Sequence, residues 1–160
     1  MSLATDSIFT TALQSNSDLM ATLGYVAPTL TDKGKPARLY GTAIPLPDED
    51  LDNVPVPYVI VTFDGLNNDA GTKDDRYESE YDRVNIGVEV TGKTLKDLHD
   101  LTQMVRDTVL AYFRANHTNV EEYTFSADAI QYDSLKPCYW QTLRYQCEVY
   151  NLEDNDDEQD

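Results

Sequence analysis

Hydrophobic and polar positions alternate most regularly between residues 83 and 91. The apolar side chains there occupy every second position: Val84, Ile86, Val88 and Val90. This period of two predicts a β-strand that is buried on one face and exposed to solvent on the other.

Three more segments read as strands. Residues 57–63 are rich in β-branched and aromatic side chains, with a proline only at the first position, and Asp64-Gly65 is predicted to end the strand. Further strands are predicted at 124–132 and 139–150. The second of these places an apolar set on one face: Leu143, Tyr145, Cys147 and Val149.

The apolar spacing becomes helical after Thr94. Leucine and valine recur at that spacing until about Ala115, and Thr94 is the predicted cap with Asp97 three residues later. Residues 3–23 predict two short helices, the second capped by Ser17 or Asp18 and ended by Gly24. The first would share one apolar face: Leu3, Ile8, Phe9, Ala12 and Leu13.

Two connections stand out between these elements. Residues 25–57 contain six of the seven prolines, which predicts a long irregular connection with at most a short extended piece at 38–42. A connection of that length in a compact domain favours a functional role. Residues 66–81 have almost no aliphatic side chains and many charges, which predicts an exposed hairpin arm between two strands.

These elements predict a single α+β domain over residues 1–150. Its mostly antiparallel sheet, of four strands or slightly more, should pack on one long helix and an N-terminal helical pair. Residues 151–160 carry six acidic side chains and are predicted to be a disordered tail.

The charge limits the partners. Twelve Lys and Arg stand against 29 Asp and Glu, and the net charge of −17 opposes sequence-independent binding to nucleic acid or to an anionic membrane. No apolar run approaches the ~20 residues of a membrane span, and the first residues lack a signal-peptide pattern, so we expect a soluble protein made inside the cell. Cys138 and Cys147 should lie roughly 30 Å apart on one strand, which predicts reduced thiols.

The residue chemistry predicts no catalytic, cofactor or metal site, and so no enzyme. Asp48, Asp50 and Asp52 alternate like the start of a calcium loop, but Asn53 and Val59 stand where that loop needs glycine and glutamate. The other candidates lack ligand or triad spacing, and His99 is expected to face solvent and Cys147 to pack in the core. The scattered glycines form no phosphate loop: Gly34, Gly41, Gly65, Gly71 and Gly92.

Binding to other proteins is the remaining class of activity. A basic cluster in the first connection is either an ordinary solvated loop or a contact for an acidic partner. Tyrosine is frequent, with 11 in 160 residues, and favours interfaces when it is exposed. The predicted interface residues are Lys33, Lys35 and Arg38 in this cluster and Arg76, Tyr77 and Tyr81 on the arm.

The order of elements resembles the tail-completion or tail-terminator proteins of long-tailed bacteriophages over about residues 3–150. The similarity starts with an N-terminal helix and the Leu-rich turn DLMATL at 18–23, followed by the proline-rich stretch and the strand opening VPYVIV at 56–61. It continues through the polar loop, the alternating strand into TLKDL at 94–98, and the closing strand with LRYQCEV at 143–149.

The resemblance implies a structural virion subunit that forms a ring, usually a hexamer, which ends the tail tube and joins it to the neck. Its partners would be copies of itself, the tail tube protein and neck or connector proteins, in the virion and, during assembly, in the host cytoplasm. Genomic DNA would pass through an acidic channel without specific binding. The alternatives are another head–tail connector or neck subunit, an acidic protein-binding module such as a DNA mimic or inhibitor, and, with least support, an enzyme using paired carboxylates.

Overall fold

The computed structural model describes residues 2–46, 51, 53–68 and 78–150. A 3-10 turn at Ser2–Ala4 leads into helices α1 (Thr5–Gln14) and α2 (Ser17–Thr22), and α3 (Leu95–Ala115) follows later in the chain. The strands are β1 (Leu39–Gly41), β2 (Val59–Asn67), β3 (Tyr81–Gly92), β4 (Val120–Ala127), β5 (Gln131–Asp133) and β6 (Cys138–Tyr150). The predicted α+β class, with one long helix and an N-terminal helical pair, is confirmed.

Within the described residues these strands form one mixed sheet in the order β1-β2-β3-β6-β4, with β5 paired to the first part of β6. β1 and β2 run parallel, while the other pairs are antiparallel, as predicted for most of the sheet. β3 and β6 pair along their whole length, from Tyr81 opposite Tyr150 to Gly92 opposite Tyr139. The buried side chains of this long central pair form much of the hydrophobic core.

The three helices cover one face of the sheet, which we call the inner face. Apolar side chains from α1, α2 and α3 meet every second residue of β2, β3 and β6, as the period-two pattern predicted. The largest fully buried side chains include Tyr145, Phe9, Leu13, Leu19, Leu23, Ile86, Leu98 and Leu143.

Two strand boundaries were predicted wrongly. Asp64-Gly65 does not end β2, because the pairing shifts at this point and Gly65 takes a φ of +130°, so the strand continues past an irregularity to Asn67. The strand predicted at 124–132 is two strands: β4, which already begins at Val120, and β5. The break covers residues 128–130, and the carbonyl of Asp128 accepts a hydrogen bond from the Gln141 side chain (2.8 Å).

The N-terminal helices differ from the prediction in two details. Asn16, rather than Ser17 or Asp18, caps α2, since its side-chain oxygen accepts from the backbone N–H groups of Asp18 (3.0 Å) and Leu19 (3.2 Å). Leu3 is 73% exposed because it lies in the turn before α1 and not on its buried face. The predicted stop at residue 24 is confirmed by a glycine with a φ of +91°.

The cap of α3 is confirmed, since the Thr94 hydroxyl accepts from the backbone N–H of Asp97 at 3.1 Å. No helix of the described chain is both long and apolar enough to cross a bilayer. The predicted tail at 151–160, residues 69–77 of the predicted arm and Asp48, Asp50 and Asp52 lie outside the described residues.

Candidate interaction surfaces

The first connection contains a small ordered hairpin at residues 26–35, which we call hairpin 26–35. Val26 and Lys35 exchange two backbone hydrogen bonds of 2.9 Å. Near the tip, Thr29 N–H donates to the carbonyl of Asp32 (2.8 Å), and the Asp32 carboxylate accepts from Gly34 N–H (3.0 Å). Residues 26–35, which were predicted to be irregular, therefore form an ordered hairpin that precedes β1 in the chain.

The surface of this hairpin is apolar at its tip and basic along its returning strand. Leu30 is fully exposed, and the predicted interface residues Lys33 and Lys35 are exposed as well. Neither lysine forms an ion pair with another residue of the described chain. With Asp32, the hairpin has two lysines and one acid, a net charge of +1 on a chain of −17.

Arg38, the third member of the basic cluster, lies at the root of the hairpin, is half-buried and bonds to its own chain. Its Nε donates to the carbonyl of Pro57 at 2.9 Å, and its guanidinium fills the space beside Gly24 where a Cβ would otherwise lie. Its backbone N–H donates to the Leu23 carbonyl (2.8 Å). Arg38 thus fixes the base of the hairpin, and its predicted contact with a partner stays a prediction.

Tyr81, predicted on the arm, is the first residue of β3. It is 40% exposed, and its ring packs edge-on against Tyr150 with 5.6 Å between ring centroids. Partial desolvation, with a contribution from nearby carboxylates such as Glu121, raises the pKa of its phenol. Arg76 and Tyr77 lie outside the described residues.

A groove of about 350 Å³ runs along the opposite edge of the sheet, between α3 and β4, and we call it the β4 groove. Its lining combines half-buried apolar side chains with exposed charged ones: Leu110, Phe113, Val120, Tyr123 and Phe125, with Arg106, Glu121 and Glu122. This groove was not predicted from the sequence. The available signal was the alternation of Tyr123 and Phe125 on an edge strand.

The floor of the β4 groove is a cluster of aromatic rings. Tyr145, buried on β6, contacts Tyr123 and Phe125 of β4, each with 5.2 Å between centroids. Phe113 of α3 contacts Tyr123 at 5.7 Å, and the Arg106 guanidinium lies 4.3 Å from the centre of the Phe125 ring. These ring contacts link the α3 and β4 walls of the groove to β6.

The outer face of the sheet, opposite the helices, is less exposed to solvent than predicted. Gly87 and Thr91 of β3 are both buried, because residues preceding β2 and side chains of β2 cover them. The Thr91 hydroxyl accepts from the backbone N–H of Tyr58 (2.8 Å) and is 3.1 Å from its carbonyl oxygen. The prediction that the outer face is exposed to solvent is therefore wrong for this part of β3.

An open cavity of about 660 Å³ remains between the outer face and residues 42–46 and 51. Burial, with a contribution from Glu89, raises the pKa of Tyr58 to about 12, and burial also raises the pKa of the Glu89 carboxyl. Lys136 donates to the carbonyl of Leu51 (3.1 Å), and its ammonium lies 4.8 Å from the centre of the Tyr58 ring. These contacts attach the connection to the sheet.

A charged pair lies at the edge of this cavity. Arg144 Nε donates to both carboxylate oxygens of Asp128 at 2.9 Å, and its Nη1 is 3.8 Å from Asp64. The hydrogen bond from Arg144 lowers the pKa of Asp128. The pair is exposed to solvent and joins β6 to the break between β4 and β5.

The candidate reactive groups are placed as follows. Cys138 and Cys147 are free and buried, and burial raises the pKa of the Cys147 thiol to about 12, so the predicted packing role of Cys147 is confirmed. His99 is exposed on α3, as predicted. Over the ranges that the structure describes, no group of three or more His, Cys, Asp or Glu side chains could hold a metal ion.

Comparison with known proteins finds similarity only at the level of structure, where 23 solved chains match this one. No protein-family model matches the sequence, and no curated protein is similar to it. A chain in the virion of a native gene transfer agent (GTA) particle has a similar structure, with a TM-score of 0.51 and 14% sequence identity. The match covers 88% of this chain and 90% of that one. At this identity the likeness shows a shared fold.

Proposed function

We propose that this chain is a structural protein of a phage-like virion. It forms a six-membered ring at the head-proximal end of the tail, ends the tail tube and joins it to the neck. The observation that carries the proposal is the fold shared over nearly the full length of both chains with a protein of a GTA virion. The resemblance of residues 3–150 to tail-completion proteins supports the same class independently.

The distribution of chemistry on the surface also supports an assembly role. Hairpin 26–35 combines a fully exposed leucine with two exposed lysines, and a groove with an apolar lining lies at the far edge of the sheet. A ring subunit needs two different surfaces, because each copy contacts the next through a heterologous interface. The net charge of −17 would let a DNA genome pass through the ring without binding.

The closest competing function is an acidic module that binds a basic protein surface. Such a module would depend on its densest run of acids, residues 151–160. Deleting these residues separates the two functions: the ring subunit keeps its assembly, whereas a DNA mimic built on the tail loses its salt-sensitive binding.

Deleting the gene in the virus that encodes this chain tests the proposed function. We expect electron micrographs of the lysate to show DNA-filled heads separated from tails, and tails of irregular length. Supplying the wild-type chain from a plasmid should restore joined particles. Normal, infectious particles without the protein would contradict the proposal.

A further inference from the structure

We infer that hairpin 26–35 of one copy docks into the β4 groove of the next copy, with Leu30 entering the groove and Lys33 and Lys35 facing Glu121 and Glu122. The partner is thus a second copy of this chain. This inference deepens the proposed ring function and rests on it.

The apolar half of the match is a projecting leucine and an open aromatic groove. Leu30 is fully exposed at the tip of a hairpin whose backbone is fixed by hydrogen bonds, so little order is lost when it binds. The groove has a volume of about 350 Å³, enough for a leucine side chain with its neighbouring backbone. Leu110 and Phe113 form its helical wall.

The polar half of the match is opposite charge. Lys33 and Lys35 lack an ion-pair partner in the described part of their own chain, and Glu121 and Glu122 likewise lack one. Among the described residues that line the groove, Arg106 is the one cation, and it lies against the face of Phe125. Two basic groups on the hairpin can therefore meet two carboxylates at the groove, which fixes the orientation of docking.

The hairpin and the groove lie at opposite edges of the sheet, so the same contact can repeat from one copy to the next. The hairpin is rooted just before β1, and the groove is formed by β4, the strand at the other end of the sheet order. Four strand spacings of about 4.8 Å put these edges roughly 19 Å apart. Two complementary surfaces on opposite edges join copies head to tail, which yields a ring when the rotation closes.

Substitution of Leu30 tests the apolar contact. We expect Leu30→Asp to weaken self-association roughly 10- to 100-fold, measured by sedimentation velocity over a concentration series of the full chain. Leu135→Asp is the matched control, because Leu135 is 91% exposed in the turn between β5 and β6 and far from the groove lining. Equal association constants for Leu30→Asp and wild type would overturn the inference.

Charge reversal tests the orientation. Reversing both lysines, as Lys33→Glu with Lys35→Glu, should weaken association roughly 3- to 5-fold per charge at low salt. Adding Glu121→Lys and Glu122→Lys to the same chain should restore it. A quadruple variant that associates no better than the lysine variant would contradict the proposed pairing.

A covalent trap tests proximity directly. The chain with Leu30→Cys, mixed with a mass-tagged chain carrying Leu110→Cys, should form disulfide heterodimers under mild oxidation, since the natural cysteines are buried. The pair Leu135→Cys with Leu110→Cys is the control and should give few. No excess of heterodimers over this control would overturn the inference, as would self-association mapped to another surface.

An error in the proposed interface and an error in the proposed function would give different experimental results. If the interface is wrong, wild type still forms rings and Leu30→Asp leaves them intact. If the function is wrong, virus particles form normally without the protein, whatever the hairpin variants do. A wild-type chain that stays monomeric in both the sedimentation series and the trap overturns the interface and ring formation by the purified chain, whereas the role in the virion is decided by the gene deletion.

Discussion

The two faces of the sheet differ in how they are covered and in how much of their surface is exposed to solvent. The inner face is closed by three helices, and its alternate residues on β2, β3 and β6 are almost fully excluded from solvent. The outer face has polar side chains, an open cavity and a cover made by an irregular connection. The difference indicates that stability resides on the inner face, whereas the outer face and the two edges are free to contact partners.

The largest loss of stability should come from the inner face. Leu98→Ala removes a fully buried side chain of α3 and should lower the free energy of unfolding by about 3 kcal/mol. Leu95→Ala, three residues earlier on the same helix and 45% exposed, is the matched control and should cost less than about 1 kcal/mol. Urea unfolding measures both, and equal losses would remove the distinction between a packed and an open side of α3.

The covered part of the outer face should respond less strongly. Thr91→Val keeps the shape but removes the hydroxyl that accepts from Tyr58 N–H, leaving that donor unpaired at a cost of about 1–2 kcal/mol. Thr91→Ser retains the hydroxyl and should cost clearly less. If both variants unfold at the wild-type urea concentration, the connection before β2 is not attached to the sheet as described.

The half-buried carboxyl of Glu89 should oppose stability at neutral pH. Burial raises its folded-state pKa, so the charged form is the disfavoured one, and stability falls as the pH rises from the unfolded value of 4.5 through the higher folded value. Glu89→Gln should therefore raise the free energy of unfolding by about 0.5 kcal/mol at pH 7. The gain should vanish well below pH 4.5, where the carboxyl is neutral in both states, and a gain independent of pH would contradict this cause.

The smallest effect on stability should come from hairpin 26–35. Leu30 contributes nothing to the core, so Leu30→Asp should shift the free energy of unfolding of the monomer by less than about 0.5 kcal/mol. Thermal unfolding at a concentration where wild type is monomeric measures this. A large loss would mean that the variant disturbs the fold, and its assembly defect would then have another cause.

The inner face could be predicted from the sequence because its signals are local. The period-two run at Val84–Val90 and the helical spacing after Thr94 each identify one buried side without information from elsewhere in the chain. The break between β4 and β5 could not be predicted, because it depends on contacts of Asp128 with Gln141 and Arg144 on a later strand.

The interaction surfaces were predictable only in part. The lysines of hairpin 26–35 were identified as a basic cluster, but the hairpin itself depends on pairing across residues that contain a proline and a glycine. The β4 groove forms only when Tyr123 and Phe125 meet the rings of Phe113 and Tyr145, which are distant in sequence. A groove of this kind is a property of the assembled layers.

Native mass spectrometry of the purified full-length chain, with electron microscopy of the same sample, tests the central claim most directly. The account predicts one closed oligomer, six copies arranged as a ring, in equilibrium with monomer and lost in Leu30→Asp. A monomer at every concentration, or open chains of unlimited length, would contradict it.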